Sequence, residues 1–263
     1  MYEPDSEFSD KLHTASSSNK PANISLVNFY PDMVKNPVAK KIVIDIETIG
    51  RDFESFDELT KENLLKSAET EEEIQEAKDK LSLSPLTGEI AAIGMLEMES
   101  DKGFVYFQAG DNPPLPFEEN SIEYFAGAEE GLLKKFWETV KKYDQIITFN
   151  GRAFDAPFII LRSAALKIKP SKDLMPPRFN STSHVDLFDQ LTFLGAVSRK
   201  NFSLHMCCKA FGIESPKEQG ITGLEVGDLY KKGRYLDIAK YCLGDLYATK
   251  KLFQYWNDFV KFP

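Results

Sequence analysis

The sequence predicts an α/β fold, and three observations carry that reading. Lys41 to Ile46 is a β-branched run without alternation, the pattern of a strand buried on both faces. "GEIAAIGMLEME" and "KGFVYFQAG" are extended runs separated only by Ser100 and Asp101, so they form a hairpin with an exposed turn. From residue 121 onward helical and extended patterns alternate, and a helix-rich end follows.

The elements follow in order. Residues 1–38 are rich in Ser, Asn, Asp and Pro and lack a sustained period, so a loosely packed or partly disordered arm is expected. The remainder, 39–263, reads as one domain. After the first strand, residues 52–83 contain helix formers and i,i+4 charge pairs with little apolar content, which predicts an acidic helical insertion outside the main sheet. Between residues 121 and 143, Phe125, Leu132, Leu133, Phe136, Trp137 and Val140 fall at helical spacing, and "QIITFN" follows as a strand. "AFDAPFIILRSAALK" is a helix with Pro157 in its opening turn, where the missing N–H costs nothing. "HVDLFDQLTFLG" is a short strand running into a helix. "FSLHMCCKAFG" is a helix with Ser203 as N-cap and Gly212 as stop, and a long helix spans Tyr235 to Phe259.

Composition narrows the function. The chain has 263 residues, 42% of them hydrophobic, enough for a sizeable core. It has no run of 18 apolar residues and no basic start followed by an apolar stretch, so neither a membrane span nor secretion is expected. Cys207, Cys208 and Cys242 have neither disulfide-framework nor zinc spacing, which fits core packing in a reducing cytoplasm. The net charge of −9 argues against a protein coated in nucleic acid, but it is uneven: −15 over residues 1–150, +5 over 151–217 and +1 over 218–263. The positive middle could meet phosphates, although such an excess is often a solvated surface.

Acids recur next to apolar sequence. Asp45 and Glu47 are two apart on a strand and so project from one face near its carboxyl end. A bare Asp-x-Glu is ordinarily one surface acid plus one helix-capping acid. Asp155 falls in the first turn of a helix, where it complements the helix N-terminus. Tyr241 and Asp245 share a face of the last helix, either as solvated residues or, given the apolar Ala239, Leu243, Leu246 and Ala248 around them, on a packed one. Four carboxylates from three elements share a purpose if divalent cations sit between them, because hard cations take oxygen ligands and like charges otherwise repel.

Three stretches, "VIDIET", "NGRAFDAPFI" and "YCLGDLYAT", resemble in order and spacing the exonuclease motifs of the tyrosine-bearing branch of the DEDD (DnaQ-like) superfamily. The chain looks most like stand-alone predicted 3′–5′ exonucleases related to the proofreading domain of family B DNA polymerases, over residues 41–256. The resemblance implies an RNase H-like fold, with a mixed five-stranded sheet flanked by helices. It implies two divalent metal ions, Mg²⁺ or Mn²⁺, with Asp45 bridging both, Glu47 and Asp245 completing the nucleophile-side metal, and Asp155 serving the second. Tyr241 would orient or help deprotonate the attacking water. Asn150 and Phe154 would lie near the terminal nucleotide, though a turn-forming Asn and a core Phe are equally good readings.

The implied reaction is hydrolysis at the 3′ end of single-stranded DNA, releasing nucleoside 5′-monophosphates. The implied partner is that 3′ end, DNA favoured over RNA, and no membrane. A 3′–5′ exoribonuclease and a nonenzymatic nucleic-acid-binding module on the same fold are the alternatives. The second is disfavoured because a binder gains nothing from clustering negative charge against phosphate. The acidic segment 52–83 has no counterpart in the polymerase pattern, and with no polymerase domain after residue 263, proofreading in cis is not expected.

Overall fold

The computed structural model describes residues 39–215 and 225–262; the expected arm at 1–38 lies outside the described residues. Strand β1 (Lys41–Gly50) leads through a 3₁₀ turn to helices α1 (Glu58–Leu65) and α2 (Glu71–Asp79). A second 3₁₀ turn, Lys80–Leu83, precedes β2 (Gly88–Glu97), β3 (Gly103–Gln108), β4 (Phe117–Glu119) and β5 (Ile122–Gly127). Then come α3 (Glu129–Val140), β6 (Gln145–Thr148), α4 (Asp155–Ala165), β7 (His184–Asp186) and α5 (Leu187–Leu191). Helices α6 (Leu204–Ala210), α7 (Val226–Lys231) and α8 (Tyr235–Phe259) complete the described chain. None of its helices is long and apolar enough to cross a membrane.

The strands form one mixed sheet in the order β4-β5-β3-β2-β1-β6-β7. Strand β1 is antiparallel to β2 and parallel to β6, and both its faces are covered, which is why its sequence shows no alternation. On one face Ile42, Ile44 and Ile46 join Leu132, Phe136 and Trp137 of α3 and Phe158 and Ile159 of α4. On the other, Val43 and Ile49 belong to the cluster holding Ile238, Tyr241, Cys242 and Leu246 of α8.

The sheet has seven strands, two more than the five expected. The addition is the hairpin of β4 and β5, which places Phe125 on a strand instead of in the helix; α3 begins at Glu129. In β5 the buried Ile122, Tyr124 and Ala126 alternate with less buried neighbours, a period of two hidden by the helical spacing immediately after it. The turn is Asn120-Ser121, with φ of 51° and 66°, the left-handed pair that a two-residue hairpin loop requires. Strand β5 pairs parallel with β3, extending the sheet on that side.

Helices α1 and α2 bury no residue and are held by their ends. Asp57 accepts from the Thr60 N–H, and Thr70 and Glu73 form a reciprocal capping box with three acids in the first turn of α2. The segment is tied down beyond them, where Leu81 is buried against the end of β1.

Gly94 sets the spacing between sheet and helix. It pairs across the ladder with Asp45, and a Cβ there would come within 2.6 Å of Leu246 Cδ1 and 2.8 Å of Cys242 Sγ, both on α8. The missing side chain lets α8 rest on the sheet beside Asp45. Gly94→Ala should therefore overpack this contact and lower stability by about 1–3 kcal/mol, measured by urea unfolding. A wild-type midpoint would show that α8 has room to spare.

Candidate active site

The carboxyl-terminal half of β1 presents Asp45 and Glu47 on the face that carries Val43, toward α8. From α8, Asp245 points at the same place: one ligand oxygen from each of Asp45, Glu47 and Asp245 lies within 4.8 Å of the others. The strand is irregular immediately afterwards, where a register shift between Glu47 and Thr48 interrupts pairing with β2. Bulges of this kind re-aim side chains and end pairing beside functional sites. Tyr241, one turn before Asp245 and 8% exposed, lies where the charges of Asp245, Glu47 and Asp45 all act on its hydroxyl. The Cys242 thiol lies 3.6 Å from both the Asp45 carbonyl oxygen and Asp45 Oδ2, a weak donor on the inner side of the cluster.

Asp155 enters from a third element and in a different manner. It is 6% exposed, and its Oδ1 accepts the Ile46 N–H at 3.0 Å, so it clasps β1 between the two strand acids. It is not one of the three residues whose oxygens converge, although its charge acts on both Asp45 and Glu47. Asn150, at φ 62°, forms the left-handed turn between β6 and α4. Phe154 precedes the first residue of α4, with its ring 5.5 Å from that of Phe158.

The residue that fastens this turn was not among those expected from the sequence. Asp186, at the end of β7 and 3% exposed, accepts from the N–H groups of Asn150 at 2.8 Å, Arg152 at 2.9 Å and Phe188 at 3.0 Å. It caps α5 and pins the Asn-Gly-Arg turn at once. The available signal was an aspartate at the strand-to-helix step of "HVDLFDQL", an N-cap position. Gly151 is needed in the turn because a Cβ would fall 2.5 Å from Thr148 Cβ. Cys242 and Gly94 were missed as parts of the site too, since only the packing of α8 brings them there.

The site is electrostatically unfavourable as it stands. Burial, then Asp245, then Asp155 push the carboxyls of Asp45 and Glu47 well above the usual range; for Asp45 the Glu47 charge adds to this. Asp45 keeps some accessible surface, yet protein fills most of its surroundings. Burial also raises Asp155 to about 7, against the N–H bond from Ile46, which favours its charged form. An all-oxygen donor set with mutual repulsion fits a hard divalent cation, which would reverse each of these shifts. Asp45, Glu47 and Asp245 could hold such a cation.

These shifts set a pH dependence. Asp45, Glu47 and Asp155 hold protons more tightly folded than unfolded, so what they add to stability is present at low pH and is lost as pH rises, for Asp155 through about 7 and for Asp45 and Glu47 as each passes its own raised pKa. His184 works in the opposite sense. Buried between Thr148 and the Leu174 carbonyl, it is pushed down to about 4, so its contribution is lost as pH falls from about 6.5 through 4. Adding cation separates the two, because protons compete with it at the carboxylates only. The rise in Tm on adding millimolar Mg²⁺ or Mn²⁺ should be larger at pH 8 than at pH 5.5 by scanning fluorimetry; equal shifts would place the cation elsewhere.

The chain is 28% identical over 147 residues to DNA polymerase 1 of Sulfolobus acidocaldarius, an alignment covering 53% of this chain and 16% of the polymerase. Its fold superposes on the family B DNA polymerase of the hyperthermophilic archaeon Pyrobaculum calidifontis with a TM-score of 0.55 at 16% identity, covering 85% of this chain and 25% of that one. The chain thus spans about a sixth to a quarter of the length of these relatives, and the structural likeness establishes an RNase H-like fold. Residues 90–256 match the model of a family described as a predicted 3′–5′ exonuclease related to the exonuclease domain of PolB. With well over half its length matched by that model, the chain belongs to this family of exonucleases.

Proposed function

We propose that this protein hydrolyses the terminal phosphodiester bond at the 3′ end of single-stranded DNA, releasing nucleoside 5′-monophosphates. The observation that carries the proposal is the convergence of Asp45 and Glu47 from β1 with Asp245 from α8, beside the hydroxyl of Tyr241. Two divalent cations, Mg²⁺ or Mn²⁺, bound by Asp45, Glu47, Asp155 and Asp245, would supply activation of the water and neutralisation of charge on the transferring phosphoryl group. In the reaction a water oxygen attacks phosphorus, the bond from phosphorus to the 3′ oxygen breaks, and the shortened strand keeps that oxygen as a new 3′ hydroxyl.

The residues divide the remaining work. Asp155 clasps the Ile46 N–H and so fixes the strand between the two acids it carries. Tyr241 stays a neutral phenol, because burial and the nearby carboxylates push its pKa far above the usual value for tyrosine. That favours a positioning role, with the neutral hydroxyl offering a hydrogen bond toward the attacking water, beside the part in deprotonation that the resemblance implies. Asn150 and Phe154 flank the Asp155 turn, where the terminal nucleotide would lie. Three free, buried cysteines suit a reducing compartment such as the cytoplasm.

End-labelled DNA and RNA strands incubated with Mg²⁺ or Mn²⁺ test the proposal. DNA should shorten stepwise from an open 3′ end, a blocked 3′ hydroxyl or a circular strand should resist, and EDTA should stop the reaction. Persistent cleavage in EDTA would refute the cation requirement, and faster RNA degradation would make the protein an exoribonuclease.

Three substitutions should rank by role. Asp45→Ala should be the most damaging, since it removes the central ligand. Asp245→Asn keeps shape and one oxygen but loses a charge, so raised metal concentration should restore part of the rate. Tyr241→Phe should be mildest, within or below the roughly 10²- to 10⁴-fold range of general acid–base groups. A fully active Asp45→Ala protein would overturn the assignment.

A further inference from the structure

Three arginines from three segments converge on a cleft of about 470 Å³. Its lining includes Asn150, Arg152 and Ala153 of the turn that leads into Asp155, so the cleft borders that turn. Arg152 donates from Nη1 to the Pro176 carbonyl at 2.8 Å, holding the segment after α4 against the turn. Arg178, from that segment, donates through Nε at 2.8 Å and Nη2 at 2.5 Å to Asp189. Arg199 reaches the same Asp189 at 2.9 Å, with its guanidinium 5.0 Å above the Phe188 ring.

Asp189 is a buried anchor, 4% exposed, whereas the side chains of Arg178 and Arg199 remain 47% exposed. A guanidinium has five N–H donors; Arg178 spends two on Asp189 and Arg199 one, leaving three and four directed elsewhere. Phe179, next to Arg178, is 84% exposed, and Met175 is 43% exposed. Rigid forks with spare donors match phosphate oxygens, and an exposed aromatic beside them offers a face for a base. A purely structural clamp would account for the Asp189 pairs, but not for three guanidinium groups lining one open cleft next to the turn that carries Asp155.

We propose that this cleft binds the phosphate backbone of the single strand on the 5′ side of the scissile bond, with Arg152, Arg178 and Arg199 on phosphates and Phe179 under a base. The proposal rests on the function proposed above and names where the rest of the substrate runs. Phosphates are common to DNA and RNA, so the cleft should hold both.

The experiment is fluorescence anisotropy with 5′-labelled 12-nucleotide DNA and RNA strands in EDTA, titrating salt. The variant Arg178→Gln/Arg199→Gln carries Asp189→Asn as well, so that no carboxylate is left buried without its cations. It should raise Kd about tenfold or more for both strands and flatten the slope of log K against log salt by roughly 1.4, about 0.7 for each lost phosphate contact. Phe179→Ala, on an exposed position where folding is not at stake, should weaken binding about fivefold or more with the slope unchanged. Lys80→Gln, on the acidic segment, should match wild type. Wild-type Kd and slope in both cleft variants would overturn the proposal even if the protein degrades strands. Impaired binding in the variants of a protein that degrades no strand would support the cleft and refute the exonuclease reading.

Discussion

At Gly94 the sheet offers α8 bare backbone, and Cys242 and Leu246 fill the space where a side chain would stand. That contact fixes how closely the last helix lies on β1 and β2, and the site depends on it. Asp45 lies across the ladder from Gly94, and Tyr241 and Asp245 leave α8 one turn apart on the side that meets it. Had α8 stood an ångström or two farther out, the oxygens of Asp45, Glu47 and Asp245 would not come within the reach of one small cation.

Holding those acids together without cation opposes folding. Desolvation and mutual repulsion raise the proton affinity of Asp45, Glu47 and Asp155, and the surrounding fold must offset this. It does so with a strand buried on both faces and with backbone groups spent on the carboxylates. Ile46 donates to Asp155, and Asn150, Arg152 and Phe188 donate to Asp186. Each acid is carried by secondary structure that could not move without exposing core.

Charge is segregated by depth as well as along the chain. The acids of α1 and α2 face solvent, while Glu47 and Asp155 are buried and Asp45 and Asp245 are partly buried. The excess of cations over residues 151–217 is partly spent internally: the buried guanidinium of Arg162 pairs with Glu129 at 2.6 Å, and Asp189 gathers Arg178 and Arg199. Of the cations directed outward, Arg178 and Arg199 line the cleft beside the Asp155 turn, whereas the exposed Lys167, Lys169 and Lys200 do not. Net charge alone could not distinguish these uses.

The sequence by itself determined whatever depends on near neighbours. The unbroken apolar run of β1, the bounds of α8, the Ser203 cap with its bond to the Met206 N–H, the left-handed Gly212 stop and Pro157 in the opening turn of α4 are all set within a few residues. So was the suspicion attached to Asp45, Glu47, Asp155 and Asp245, because an acid beside apolar sequence needs a reason. Only the tertiary structure decided which of these acids meet. It drew Asp45, Glu47 and Asp245 together, gave Asp155 a backbone clasp, enlisted Asp186, Cys242 and Gly94, and separated β5 from the helix whose periodicity masked it. The physical reason is range: propensity and periodicity act over one or two turns of chain, whereas Asp45 and Cys242 touch across 197 residues through the packing of a helix on a sheet.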